Sequence, residues 1–355
     1  MASLFQEFRL KDVFLRNRIA VSPMCQYSSD NGFTDDWHFV NLGSRAVGGA
    51  GRVMVEATAV TPEGRISAAD SGIYLDDHVE PFARISRFLK QHGAVPGIQL
   101  AHAGRKASAS KPWQGNKHIE TGNGGWDIIA PSAVPFGGNL PKVPREMSLQ
   151  DIAGIQEAFV AAAKRALAAG FGWLELHYAH GYLAHEFYSP LANQRTDHYG
   201  GSFENRIRFL LETFAAVRKV WPERFPLTVR LSVTDWIAGG VTVDDSVELV
   251  RRLKTAGLDL LDVSHGSVTP DISKIPWGPG FMVPAASRIR REAAGPHLID
   301  CLPQRSCNRQ RCDLHIHHFG STTWKRIKVH RVVASRHVTH REQSASAFSA
   351  GSGHR

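Results

Sequence analysis

No apolar run in this sequence approaches the roughly 18 residues that a membrane-spanning helix requires, which argues against a helical membrane protein. The opening stretch, Met1-Ala2-Ser3-Leu4-Phe5-Gln6, has no basic region leading into an apolar core, so the reading is no signal peptide and a cytoplasmic location. Cysteine is scarce: the chain has four in 355 residues. Three of them follow residue 296, which leaves Cys25 alone in the body and excludes a disulfide framework there. No G-x-G-x-x-G follows the first apolar run, against an open dinucleotide fold, and no Glu follows His177 to make the helical zinc motif H-E-x-x-H.

The net charge of +9 is lopsided. Residues 296–355 hold ten Lys and Arg against three Asp and Glu, a net of +7, which leaves +2 for the first 295 residues. A nearly neutral body offers no basic groove, so neither nucleic acid nor membrane is an expected partner.

What the body does contain is a regular alternation. Short apolar runs occur at Arg18–Ser22, Arg52–Glu56, Val95–Leu100, Trp173–His177, Leu227–Ser232 and Leu258–Ser264. Near-continuous apolar runs suit strands buried on both faces of a parallel sheet. Between them lie helical patterns. Ser148 with Asp151 reads as a capping start, Ile152, Ile155, Phe159, Ala162 and Ala166 share one face, and Gly170 is the stop. Thr242 and Asp245 open a second helix, striped by Val247, Val250 and Leu253 and stopped at Gly257. Repeated strand–helix units predict an α/β fold. Polar residues follow almost every run (Cys25, Gln99 and His102, His177 and His180, Arg230, Ser264), which fits the C-terminal face of a (β/α)8 TIM-type barrel. Residues 107–147, rich in Pro, Gly, Trp and Asn, read as a long loop over its mouth.

Several of these residues carry chemistry. Two imidazoles, His177 and His180, can hold a carbonyl oxygen and stabilise charge developing on it, and Tyr182 can supply a proton. The bland alternative is a pair of hydrogen-bonded structural histidines. Arg230 stands in an apolar strand, where a guanidinium needs an anionic partner. That partner is either a buried carboxylate (Glu56, Glu175 or Asp262) or a flavin, whose reduced ring carries negative charge. Gln99 offers both a donor and an acceptor to a ring edge. Cys25 alone reads as a small buried apolar residue.

These features together resemble the Old Yellow Enzyme family of FMN-dependent ene-reductases, in particular its bacterial branch of NADPH dehydrogenases with an active-site cysteine. The motifs are Asn17-Arg18-Ile19, Ser22-Pro23-Met24-Cys25-Gln26-Tyr27, Glu56-Ala57-Thr58-Ala59-Val60, Gln99 through Lys106, His177 through Tyr182, and Ser189 through Ser202 with Glu204-Asn205-Arg206. The resemblance covers about residues 3–295. It implies FMN as cofactor and NADPH as reductant, with the C=C bond of a small enone or enal as the target. It further implies that Ser22, Pro23, Met24 and Cys25 line the flavin, with Cys25 tuning its potential, and that Ala57, Gln99 and Arg230 contact the ring. His177 and His180 would bind the substrate carbonyl, Tyr27 and Lys106 would help hold the substrate, and Tyr182 would donate the proton. Arg195 and Asp197 would pin a loop. A homo-oligomer is the family's expectation.

The resemblance ends near Gly295. The family's seventh and eighth strand ends, which grip the FMN phosphate, and its C-terminal arginine find no match, leaving the region of Ser264 as a partial phosphate site. Residues 296–355 instead read as a divergent basic tail, frame-shifted or disordered. Cys301, Cys307, Cys312, His315, His317 and His318 look like metal ligands by composition but fit no zinc spacing, and no metal is expected. Resequencing the coding DNA around residue 295 distinguishes a sequence error from a genuine shift. A barrel short of its seventh and eighth units would expose the edges of its first and sixth strands, retain FMN weakly and dissolve poorly. Two other readings stand beside the ene-reductase: a non-catalytic flavin-binding remnant, and a metal-dependent barrel hydrolase.

Overall fold

The computed structural model describes residues 4–294, together with the backbone of residues 299–301 and 317–318. One compact unit runs from Met1 to Thr322, and a second, Thr323–Arg355, lies outside the described residues.

The chain opens with an antiparallel hairpin, β1 (Phe8–Leu10) and β2 (Val13–Leu15). The main sheet then builds strand by strand: β3 (Ile19–Val21), α1 (Asp36–Val47), β4 (Arg52–Ala59), α2 (Val79–Gln91) and β5 (Val95–Ala101). The long loop follows and contains a two-strand pairing, β6 (Ile129–Ala130) with β7 (Arg145–Glu146). After it come α3 (Leu149–Ala168), β8 (Trp173–Tyr178), α4 (Leu183–Tyr188), α5 (Phe203–Val220), β9 (Leu227–Ser232), α6 (Val243–Thr255), β10 (Leu260–Ser264) and α7 (Val283–Ile289). Strands β3, β4, β5, β8, β9 and β10 pair in that order, all parallel.

The predicted strands and helices form where their patterns require them. Strands β4, β8, β9 and β10 are buried along their whole length, as strands covered on both faces must be. The Ser148–Asp151 and Thr242–Asp245 pairs each close a reciprocal capping box, which satisfies amide groups that the first helical turn leaves open. The predicted stripes of α3 and α6 are their buried faces. Gly170 and Gly257 take positive φ just past the two helix ends, the conformation that glycine tolerates best.

The expectation of open edges on the first and sixth strands is corrected at the backbone. β11 (Ile299–Cys301) pairs parallel to β10, and β12 (His317–His318) pairs antiparallel to β3. Both edges therefore carry a short partner over two or three residues. The side chains of these two strands, and the remainder of the tail with its Cys and His residues, lie outside the described residues. Among the described residues, no helix is long and apolar enough to cross a membrane, and no group of three His, Cys, Asp or Glu is placed to hold a metal.

Candidate functional site

Five neighbouring strands deliver their polar residues to one cavity. Ser22, Pro23, Met24 and Cys25 follow β3, Ala57 lies in β4, Gln99 in β5, His177 in β8 with His180 and Tyr182 just beyond it, and Arg230 in β9; all ten line the same space. Its volume is about 170 Å³. One buried water needs only about 10–15 Å³ on this measure, so the space fits an organic group. All ten are among the residues singled out by the sequence and by the family resemblance.

The turn after β8 is built to hold its residues apart from the strand. His180 and Gly181 both take positive φ. A Cβ on Gly181 would come within 2.0 Å of the Ser267 carbonyl oxygen, so only glycine fits there. His180 is then fixed at three points: its N–H donates to Ser232 Oγ at 2.9 Å, its carbonyl accepts from Lys106 Nζ at 2.8 Å, and its Nε2 meets Ser264 Oγ at 2.6 Å. The His177 ring lies 5.0 Å from that of His180 and 5.2 Å from that of Tyr182.

Three predicted residues reach the site by other routes. Lys106 braces His180 and stands 4.9 Å from the centre of the Tyr182 ring, so its ammonium supports the turn after β8 and is not among the residues that line the cavity. Ser264 does not line the cavity and touches the site only through its bond to His180. Tyr27 packs, as do Cys25 and Tyr182, against the small cluster of Ile66, Ala103, Ala107 and Ile128, and it meets Trp113 of the long loop edge-on. That loop also brings Phe136 to within 4.8 Å of Lys106 Nζ, which places it against the site. Arg195 pins its own loop, paired with Asp197 at 2.6 Å and donating to the carbonyls of Pro131 and Met147.

The carboxylates expected near Arg230 sort themselves. Asp262 lies 3.4 Å from Arg230 Nε. Glu175 accepts from Gln99 Nε2 at 2.8 Å, which turns the Gln99 amide nitrogen inward. Glu56 points to the loop after β3 and accepts from the Gln26 N–H, a role the sequence reading missed. A second unread pair, His185 and Asp235, sits 2.9 Å apart beneath the turn, where His185 Nδ1 accepts from the Gly181 N–H.

Burial sets the protonation of the site. It drives the pKa of His177 and of His180 well below the ordinary range, and the Arg230 charge adds to this. Both are neutral at pH 7, and each offers one N–H donor. Burial raises the Tyr182 phenol, helped by Cys25 and Asp70. Lys106 is lowered to about 8 by burial.

Three buried carboxyls sit high for the same reason: Asp70 and Glu175 at about 7 and Glu186 at about 8. Unfolded, they would ionise near pH 4. The folded chain therefore binds more protons than the unfolded chain until these groups ionise, and its stability falls as pH rises through that range. Buried His102, His177 and His180 work in the opposite sense, but only below their unfolded value near 6.5. The fall is thus clearest from pH 6.5 to 8. Above 8 the lowered Lys106 opposes the fall, because only the unfolded chain then keeps that proton, while the raised Cys25 thiol prolongs it. Thermal melts should give a Tm near its highest at pH 6.5 and lower at pH 8, with Glu186→Gln flattening the decline. A Tm that rises across that interval would refute this assignment of charges.

Comparison with known proteins follows the same lines as the geometry. The sequence profile of the NADH:flavin oxidoreductase / NADH oxidase family matches residues 3–294. An NADPH dehydrogenase of Geobacillus thermodenitrificans is 47% identical over 295 residues, covering 82% of this chain and 81% of that protein. Among solved structures, morphinone reductase in complex with tetrahydroNAD superposes with a TM-score of 0.68 at 26% identity, over 84% of this chain and 80% of that one. An Old Yellow Enzyme homologue from Zymomonas mobilis gives 0.66 at 26% identity, over 84% and 82%.

Proposed function

Because this chain belongs to the NADH:flavin oxidoreductase / NADH oxidase family, and within it to the Old Yellow Enzyme type of TIM-barrel flavoprotein, we propose that it is an FMN-dependent NADPH dehydrogenase that reduces the C=C bond of small enones and enals. The observation that carries this reading is the convergence of five strand ends on one cavity lined by donors and a fixed cation.

The residues present fit the cofactor. His177 Nδ1 and Ser22 Oγ are buried and have no hydrogen-bond partner among the described residues, and Arg230 Nε has the Asp262 carboxylate at 3.4 Å but no hydrogen bond. Buried polar atoms left in this way call for a ligand. A flavin ring, edged with carbonyl and N–H groups, answers such a set. When bound, FMN supplies hydride transfer between a nicotinamide and the β-carbon of an activated alkene. In this reading Ser22, Pro23, Met24, Cys25, Ala57 and Gln99 hold the ring, and Arg230 offers a cation to its negative end. The His177 and His180 N–H groups hold the substrate carbonyl and draw charge onto its oxygen. The Tyr182 hydroxyl holds the proton for the α-carbon. Lys106 keeps His180 in place, and Tyr27 closes the substrate side beside Cys25.

The phosphate end is read differently. The strand ends that grip it in the family fall after residue 295, outside the described side chains, and a chain without normal seventh and eighth strand–helix units retains FMN weakly. The working protein is read as cytoplasmic. The full chain, supplied with FMN in excess and kept free of oxygen, should lose its flavin band on addition of NADPH and regain it on addition of 2-cyclohexenone. Bleaching by dithionite but not by NADPH would overturn the activity, and a protein that stays yellow through gel filtration would overturn the weak-retention part alone.

A further inference from the structure

The pairing of β4 with β5 skips a residue. Val55 faces Ile98 and Ala57 faces Gln99, so Glu56 is left out of the ladder. A bulge of this kind re-aims a side chain, and bulges gather beside active sites. Here the side chain is the Glu56 carboxylate, which is 3% exposed.

Every contact of that carboxylate leads somewhere specific. Oε2 accepts from the backbone N–H of Gln26 at 2.8 Å, and Oε1 accepts from Ser71 Oγ at 3.0 Å. His38 Nε2 lies 3.6 Å from Oε1, and His38 Nδ1 lies 2.6 Å from Asp35 on the half-exposed start of α1. Ser29 joins through Ser71 at 2.9 Å. Gln26 stands between Cys25, which lines the cavity, and Tyr27, which takes a left-handed φ of 55°. A bulky residue holds that conformation only when its surroundings impose it.

We propose that Glu56 is the positioning residue for the Cys25 wall of the pocket: the β4 bulge aims its carboxylate at the Gln26 N–H, and that bond fixes the side chains of Cys25 and Tyr27. The proposal deepens the flavin reading, on which its catalytic consequence rests, because Cys25 belongs to the segment assigned to the ring. The charge has a second effect. The groups that face Cys25 are two carboxylates, Asp70 and Glu56, and two phenols, Tyr27 and Tyr182, with His38 facing Glu56 from α1. Burial, then Asp70 and Glu56, hold the thiol pKa well above its ordinary value. Cys25 therefore meets the pocket as a neutral thiol.

Two variants of the full chain separate position from charge. Glu56→Gln keeps an acceptor within reach of the Gln26 N–H and removes the charge. Glu56→Asp keeps the charge and falls short of the N–H. Alkylation of Cys25 by iodoacetamide, read by peptide mass spectrometry to set it apart from the three tail cysteines, should run about tenfold faster in Glu56→Gln at pH 7.5, because removing the Glu56 charge eases formation of the reactive thiolate. The same rate should stay near wild type in Glu56→Asp. Hydrogen exchange of the Gln26 amide should show the reverse pattern: near wild type in Glu56→Gln and about tenfold faster in Glu56→Asp. Wild-type behaviour of both variants in both readouts overturns the proposal. So does a parallel change of both readouts in both variants, which marks general loosening. Neither readout needs bound flavin or turnover, so failure here and failure of the ene-reductase reading are distinguishable.

Discussion

Tyr182→Phe is expected to slow reoxidation of the enzyme by 2-cyclohexenone by about 10²- to 10⁴-fold, the usual worth of a positioned general acid, while bleaching by NADPH stays within about twofold of wild type. The reason lies in the protonation of its neighbours. His177 and His180 are held neutral by burial and by the Arg230 charge, so they can donate hydrogen bonds but are poor acids at pH 7. His180 also has its Nε2 engaged by Ser264. Among the residues lining the cavity, the Cys25 thiol and the Tyr182 phenol both keep a proton; Tyr182 is the one whose ring stands beside His177, and burial keeps its proton in place across the working pH range. Its loss would leave a phenolate whose ring centre lies 4.9 Å from the Lys106 ammonium, and a cation over the ring favours the negative charge. Lys106 itself loses charge near pH 8. The enone step should therefore hold steady up to about pH 7.5 and decline above 8, while the NADPH step does not follow that decline. Stopped-flow traces of the two half-reactions decide the matter. An equal loss in both would mean that Tyr182 shapes the pocket and is not the proton source.

Much of this site was legible in the sequence because its residues lie in short contiguous runs. Ser22–Cys25 and His177–Tyr182 each stand just after an apolar strand, and a parallel barrel sends everything after its strands to one face. Local chemistry gave the helices for the same reason: the Ser148–Asp151 and Thr242–Asp245 boxes are complete within four residues. What escaped the sequence depends on contacts between distant segments. The Lys106 ammonium meets a carbonyl 74 positions away, and nothing near Lys106 distinguishes that brace from a substrate contact. Glu56 reads as a candidate partner for Arg230 until a one-residue bulge turns it toward Gln26. Strand partners at the sheet edges were missed because a pairing of two or three residues, such as His317–His318 against Ala20 and Ile19, needs no hydrophobic period to announce it.

Arg230 is where structure and chemistry are hardest to separate, and a double substitution separates them. It lies between His177 on β8 and Asp262 on β10, 5% exposed, with Asp262 at 2%. Asp262 Oδ1 has no hydrogen-bond partner among the described residues, and Glu175 nearby is raised to about 7 by burial and by Asp262 while Arg52 and Arg230 oppose the shift. Arg230→Met removes a central cation from this cluster and strands the Asp262 charge, which is expected to destabilise the fold by about 3–5 kcal/mol. Adding Asp262→Asn removes the stranded charge, and most of that stability should return. Flavin affinity should behave differently. If the guanidinium faces the negative end of the ring, its loss removes a charge-assisted hydrogen bond of about 1.5–3 kcal/mol, or about 10- to 150-fold in Kd. That loss should persist in the double variant, while Asp262→Asn alone should bind FMN at least as well as wild type. Urea unfolding gives the first quantity, and quenching of FMN fluorescence gives the second. Recovery of both in the double variant would assign Arg230 to the fold alone; recovery of stability without affinity places its charge against the cofactor.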